Sequence, residues 1–546
     1  MSELKIGAEP YAELGKSRTV LDTSSCPLGS QSNATAKVIK LYMYEKYKRL
    51  RNVLTKIDVR SALLAIWSYS EYISNGRLLS TQLSGGHNVK AHLHLHQLSL
   101  LAREVIINCV EVGGKEFTYS TLASSMNAIR DIEGYISLRR LTDTGVDQVL
   151  DDLHPLVHNQ FLFNRKIERA SYFLRYAEIY RQQGIQVMME KELGSPIVEC
   201  YFLAMHIVGG LRTNPGVLAR QDLSNFGIDS DQSERFFSKV ALPLDELKSK
   251  LISVQSYDDN WSYTWNPLTA TPFVKLDKTH PQIIYCPLPS LVWHRLGHGL
   301  FYDFADIPAF GNLYGASFEK YVGGYLTSVL PKEKYEIFGE HQYHIGTNLK
   351  HGTDWIVSDG VSNIFIECKT KRITQAATML SSEKALSDQL EKLAEAGVQL
   401  YKNMIEAQRG LPHWAENSRP SFPIIVTLED WILFSPTIRK RFHSHLEALL
   451  IKSNIDPQIM TDSPMTITSC QEFEELIALI GTVGIQEIFE KKSSRCYEDW
   501  MVETFVREAF PESTLVHAET VTRKWNDFHK LLRVNWKARM LSADPT

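Results

Sequence analysis

The residues best placed to do chemistry stand together in the stretch DWIVSDGVSNIFIECKTKR, residues 354–372. Asp354 and Glu367 offer hard oxygen donors, and Lys369 offers an ammonium. Side chains alternate across a strand, so Glu367 and Lys369 share one face while Cys368 faces the other way. The preceding Ile364, Phe365 and Ile366 predict a largely buried strand. A carboxylate and an ammonium in so apolar a strand are costly unless they pair or bind a metal. The turn signal Asp359-Gly360 returns the chain, which places Asp354, at the opening of the preceding strand, beside Glu367. Two carboxylates converging in a site of low dielectric repel each other. A divalent cation removes that penalty, and few protein donors of hard oxygen type suit Mg²⁺, with Mn²⁺ as its substitute. Lys369 would then orient or deprotonate the attacking water, or stabilise charge developing on a phosphate. The reading without chemistry is a Glu–Lys pair at a strand edge, facing water.

The elements that must position these residues read in a definite order. ASFEKYVGGYLTSVL has helical spacing and YEIFGEHQYHI reads as one strand. TDWIVSDG and NIFIECKTK are two more strands, SSEKALSDQLEKLAEAGVQLYKNMIEAQ is a long amphipathic helix, and PIIVTL is a short buried strand. The order is α-β-β-β-α-β. With Asp354 separated by twelve residues from Glu367-Cys368-Lys369, this region resembles the PD-(D/E)xK, or restriction-endonuclease-like, nuclease superfamily over about 120 residues. The resemblance implies that Asp354 and Glu367 bind the metal, with the Cys368 carbonyl as a third donor and Lys369 as catalytic base or stabiliser. In many members a Glu of the first core helix adds a ligand, and Glu319 stands in the matching place, in what the sequence reads as the first turn of its helix. Thr353 precedes the Asp where the family name has Pro. Gln399 and Tyr401 are two apart, whereas RecB-type members carry Gln and Tyr four apart, so that subgroup is not assigned.

Outside this core, residues 1–35 read as a loose leader and 36–255 as helix after helix, a candidate sensor or partner-binding domain. Residues 256–312 read as a connecting segment of strands and loops, 313–435 as the nuclease core, and 436–546 as a largely helical extension with one weak strand, MTITS. The fold class expected is therefore α+β, with an all-helical N-terminal half. A fragment from about residue 254 onward should keep the metal site.

Other signals carry bland readings. His92 and His96 stand at i and i+4, as do His294 and His298, without the carboxylates or cysteines a metal site needs. Residues 37–60 hold eight Lys/Arg with Tyr42, Tyr44 and Tyr47 interleaved, and 521–540 hold six, yet Trp525, Phe528, Leu532 and Trp536 of the second follow helical spacing and read as a core stripe beneath a solvated face. Lys371 and Arg372, immediately after the site, are better placed to meet phosphates. No phosphate-binding loop, dinucleotide fingerprint or nucleophile elbow is present, so ATP has no role in this reading. Ile197–Leu211 is apolar but short and reads as a buried helix rather than a membrane span. Seven scattered cysteines without a CxxC fit a reducing, cytoplasmic compartment. The net charge of −4 gives no global attraction to a polyanion, so any grip must be local.

Together these features lead to the expectation of a Mg²⁺-dependent nuclease acting on DNA. A large helical half beside it suits a regulated effector, similar in layout to bacterial anti-phage defence nucleases, with a protein trigger acting through the helices. A repair or recombination nuclease, and a catalytically dead scaffold working through protein contacts, are the rival expectations.

Overall fold

Asp58 begins α1 (Val59–Asn75) by accepting the Ser61 N–H, and Gly76 ends it at φ 73°, a left-handed conformation that glycine adopts without steric penalty. The computed structural model describes residues 43–143, 168–373, 383–410, 414, 417–431, 435–511 and 517–530, and the leader 1–35 lies outside them. A first core gathers around Leu63, Ile66, Leu101 and Ile129, where α1, α2 (Leu95–Asn108) and α3 (Tyr119–Asp143) meet the helical residues 43–54 and 244–254. Trp261 and Leu268 of the connecting segment seal it.

A second core is larger. Into it pack α4 (Glu168–Tyr180), α5 (Ile197–Leu211), α6 (Phe310–Val329) and, from the far end of the chain, α9 (Cys470–Val483). A third core joins α7 (Glu383–Gln408) to α8 (Pro436–Lys452). α5 is mostly buried, as its composition predicts, and no single described helix is long and apolar enough to cross a membrane.

Between the second and third cores runs a five-stranded sheet, made of β5 (Glu336–Gly339), β8 (Trp355–Ser358), β9 (Asn363–Lys369), β10 (Ser421–Thr427) and β11 (Thr466–Ser469). Spatial order is β11-β10-β9-β8-β5, antiparallel from β5 to β9 and parallel from β9 to β11. β9 is covered on both faces: Ile364, Ile366 and Cys368 enter the second core and Phe365 the third. The weak strand expected at MTITS is β11, paired with β10.

Three expectations are corrected. The N-terminal half is not all helical, since β1 (Gly216–Leu218) and β2 (Ala241–Pro243) join β3 (Phe273–Lys275) and β4 (Ile283–Tyr285) in a second sheet. Three-residue strands leave no periodicity to read. The helices before residue 255 also do not form one body, because α4 and α5 share the sheet's own core. Finally, the strand expected over YEIFGEHQYHI stops at Gly339. β8 begins only at Trp355, opposite Gly339, so the chain beyond has no partner in the sheet. It forms a separate ribbon instead, β6 (Gln342–Ile345) with β7 (Asn348–His351).

Candidate active site

Register brings the two carboxylates together. Trp355 lies opposite Ile366 in the β8–β9 ladder, which sets Asp354 opposite Glu367 one step beyond its end. The Cys368 N–H donates to Asp354 Oδ2 at 2.7 Å, and Thr353 Oγ1 donates to the Ile366 carbonyl at 2.8 Å. Thr353 thus supplies a cross-strand bond that a proline has no group to make. Lys369 Nζ donates to Glu367 Oε1 at 2.6 Å. Glu367 is only 6% exposed, so it does not face open water, while Lys369 is partly open to it. The Cys368 side chain points into the second core, and burial holds its thiol well above the ordinary range, which leaves it inert.

These carboxyls resist ionisation. Burial pushes Asp354 up from 3.8 to about 6 against the opposing Cys368 N–H, with Glu319 adding repulsion. Burial and then the Asp354 charge push Glu367 up from 4.5 to about 7. Burial alone would lower the proton affinity of Lys369, but Glu367 and Asp354 override it and hold the ammonium above its ordinary value.

Glu319 is brought alongside by α6. The Trp355 indole donates to its carbonyl at 3.0 Å and lies where any Cβ on Gly323 would overlap the ring. That close approach locks α6 to β8. The helix starts at Phe310, so Glu319 is well inside it rather than in the first turn, and favourable dipole placement no longer explains it. Burial raises its proton affinity, followed by the charge of Glu340. Glu340, just past β5, also acts on Asp354 and Glu367 and was not singled out from sequence. Its one signal is a carboxylate at the end of the first core strand.

Of the two basic candidates, Lys371 is exposed and adjoins Lys392, which lowers its proton affinity after burial does so. Arg372 is revised. Its side chain lies over the Phe301 ring at 4.0 Å and donates to the His298 carbonyl at 2.9 Å and to Tyr314 Oη at 3.1 Å. With the Glu429 carboxylate 3.6 Å away, it is committed to the interior and not offered to a phosphate. Glu429 is further held by His298 Nδ1 at 2.8 Å and by the Tyr176 hydroxyl. This knot ties the ends of β9 and β10 to α4, and no spacing in the sequence announces it.

The remaining signals resolve as packing. His92 ends a short 3₁₀ turn, so it shares no helix face with His96, whose ring burial pushes down to about 4. His294 stacks on His298 at 5.0 Å. Tyr47 is a core residue donating to Glu104 at 2.8 Å, and Phe528 is buried; residues 531–540 lie outside the described residues. Gln399 donates to Asn403, and Tyr401 to the Ser463 carbonyl.

The donor set tests what cation would suit it. Among the described residues no three His, Cys, Asp or Glu groups close around one point. Zinc, which takes four such ligands in structural sites and three in catalytic ones, fits poorly. Two carboxylates with a main-chain carbonyl fit an ion that keeps most of its waters, as Mg²⁺ does. The molecule is thus a mixed α+β protein with a paired-carboxylate and lysine site at the junction of its antiparallel and parallel strands. Compared with known proteins, it matches no family model, no curated sequence and no solved structure.

Proposed function

We propose that this protein is a metal-dependent nuclease cutting DNA. The observation that carries the reading is the meeting of Asp354 and Glu367 across the β8–β9 ladder, with both carboxyls held reluctant to ionise and Lys369 paired beside them. Perturbed groups gathered in one place mark functional sites more often than inert ones. The order α6–β5–β8–β9–α7–β10 supports the PD-(D/E)xK assignment, with the β6–β7 ribbon as an insertion.

In this reading Asp354, Glu367 and the Cys368 carbonyl would hold Mg²⁺ or Mn²⁺, with Glu319 and Glu340 at the rim. The cation would supply positive charge to phosphate oxygens and a more acidic bound water. Lys369 is kept protonated by its carboxylate neighbours. It therefore acts as a charge stabiliser that also orients Glu367, rather than as the base. Lys371 and Lys392 give a local grip on the backbone in a chain of net negative charge.

Incubating the purified protein with plasmid, linear and single-stranded DNA, with and without Mg²⁺, tests the proposal. The parent should cut only with metal, and Lys369→Ala should lose about 10²–10³-fold in rate, as removal of one preorganised electrostatic donor does. No cleavage with Mg²⁺ or Mn²⁺ would leave the scaffold reading in its place. The cellular setting we attach to this chemistry is triggered anti-phage defence. Cells carrying Lys369→Ala should then lose protection, whereas a preference for junctions or ends would favour repair.

A further inference from the structure

Between β5 and Asp354 the chain leaves the sheet and builds a ribbon of its own. β6 pairs antiparallel with β7, with Gln342 opposite His351 and Ile345 opposite Asn348. Gly346, at φ 61°, allows the tight turn at the tip. At the base, the Gly352 N–H donates to the His341 carbonyl at 3.0 Å, and the Tyr343 hydroxyl donates to Glu406 on α7. Tyr343 is the sole buried residue of 341–351, and Ile345 and Leu349 lie bare to solvent. A two-stranded ribbon is marginal in water on its own, and exposed apolar residues on an open edge are a liability. This one adds almost nothing to a core.

Alternation gives the ribbon two faces. Gln342, His344, Leu349 and His351 point one way. Ile345, Asn348 and Lys350 point the other, with Tyr343. No carboxylate occurs from 341 to 353, within a chain whose net charge is −4. The ribbon runs straight into Asp354, and at its root His351 Nδ1 lies 3.1 Å from Glu340, the carboxylate that crowds the candidate site.

We infer that this ribbon enters the major groove of duplex DNA and sets the scissile strand against Asp354 and Glu367. The inference rests on the nuclease reading and adds the substrate class, B-form duplex DNA. Ribbon strands stand about 4.8 Å apart, and the major groove, about 12 Å wide, admits a two-stranded ribbon. The major groove of an RNA duplex is too deep and narrow for side chains to read. Gln342 and His344, on the face opposite buried Tyr343, carry the donors and acceptors that base edges demand. Leu349 of that same face offers apolar contact to thymine methyls, and Lys350 on the other face offers a charge to a phosphate.

The test uses the full chain with Lys350→Glu and, separately, His344→Ala with Leu349→Ser, all at exposed positions. Binding to a fluorescent DNA duplex is followed by anisotropy in Ca²⁺ across a salt series, and hydrolysis is followed on duplex DNA and on bis(4-nitrophenyl) phosphate. Lys350→Glu should weaken duplex binding by about tenfold and flatten the logarithmic salt slope by about one. Both variants should raise KM for duplex DNA without changing kcat, and leave the aryl phosphodiester rate as in the parent. Unchanged duplex affinity, or an equal loss on single strands or RNA duplex, overturns the inference. So does loss of self-association with DNA binding intact, which would make the ribbon a contact between copies. If the parent hydrolyses neither substrate, the nuclease reading fails, and the anisotropy measurement still decides the ribbon.

Discussion

Asp354→Asn separates a metal site from an ordinary buried ion pair. Raising a carboxyl from 3.8 to about 6 corresponds to about 3 kcal/mol of disfavoured charge at neutral pH. Burial is the main cause, with Glu319 and Glu340 adding repulsion, and discounting for the coupling to Glu367, which the Asp354 charge raises in turn, leaves about 2 kcal/mol for neutralising one member. Asparagine keeps an oxygen to accept the Cys368 N–H, so the hydrogen bond at 2.7 Å survives the change. The folded proton affinity lies above the unfolded one. The stability that protonation lends is therefore complete below the ordinary value near 4 and lost as pH rises through about 6. In EDTA at pH 8 the variant should thus be the more stable protein. Spread over the entropy of unfolding the whole chain, about 2 kcal/mol raises Tm by roughly 2 °C. The gain should shrink as pH falls towards 4, because the parent's carboxyls take up protons. With Mg²⁺ at a hundredfold excess over its Kd the parent should gain about 2.7 kcal/mol, and the variant far less. Differential scanning fluorimetry at pH 8 and pH 5, with EDTA or Mg²⁺, reads all of these. A variant less stable than the parent at both pH values, with an unchanged response to Mg²⁺, would refute the reasoning.

Gly323→Ala should force the Trp355 indole off α6 and cost about 1–3 kcal/mol, as overpacking does; a lowered Tm together with slower cleavage is expected, because Trp355 adjoins Asp354. Removing residues 1–254 takes away Arg175, Ser171 and Tyr176, so buried Glu474 loses its only cation within salt-bridge distance among the described residues and Glu429 loses one of its hydrogen bonds. Contrary to the expectation from sequence texture, that fragment should not fold, and a soluble fragment with a cooperative melt would show the shared core to be dispensable.

The candidate site was legible because its pieces are local. Alternation placed Glu367 and Lys369 together, the Asp359-Gly360 turn brought back Asp354, and both features depend on a few neighbouring residues. Gly360 adopts φ 82°, and Asp359 accepts the Val361 and Ser362 N–H groups, as that turn requires. The start of α6 was missed because FGNLYG puts two glycines in its first turns. The fate of Arg372 was hidden for a different reason. Its partners His298, Tyr314 and Glu429 come from three separate elements, 74, 58 and 57 positions away, and no pattern within a window joins them. Glu340 was masked by a strand that read as continuous and is not.

The pairing of Arg175 with Glu474 sets a clock on biosynthesis. The guanidinium of α4 meets that carboxylate of α9 at 2.6 Å, across 299 positions of sequence, and Ser171 and Tyr321 bind the same carboxylate. At about 5–20 residues per second, a ribosome needs roughly 15–60 s to deliver the second partner after the first. Through that interval α4 has its cation but not the group that allows it to be buried, and the cost of an unpaired internal charge opposes docking. A half-made chain is therefore held from closing the core behind β9 until α9 has been made.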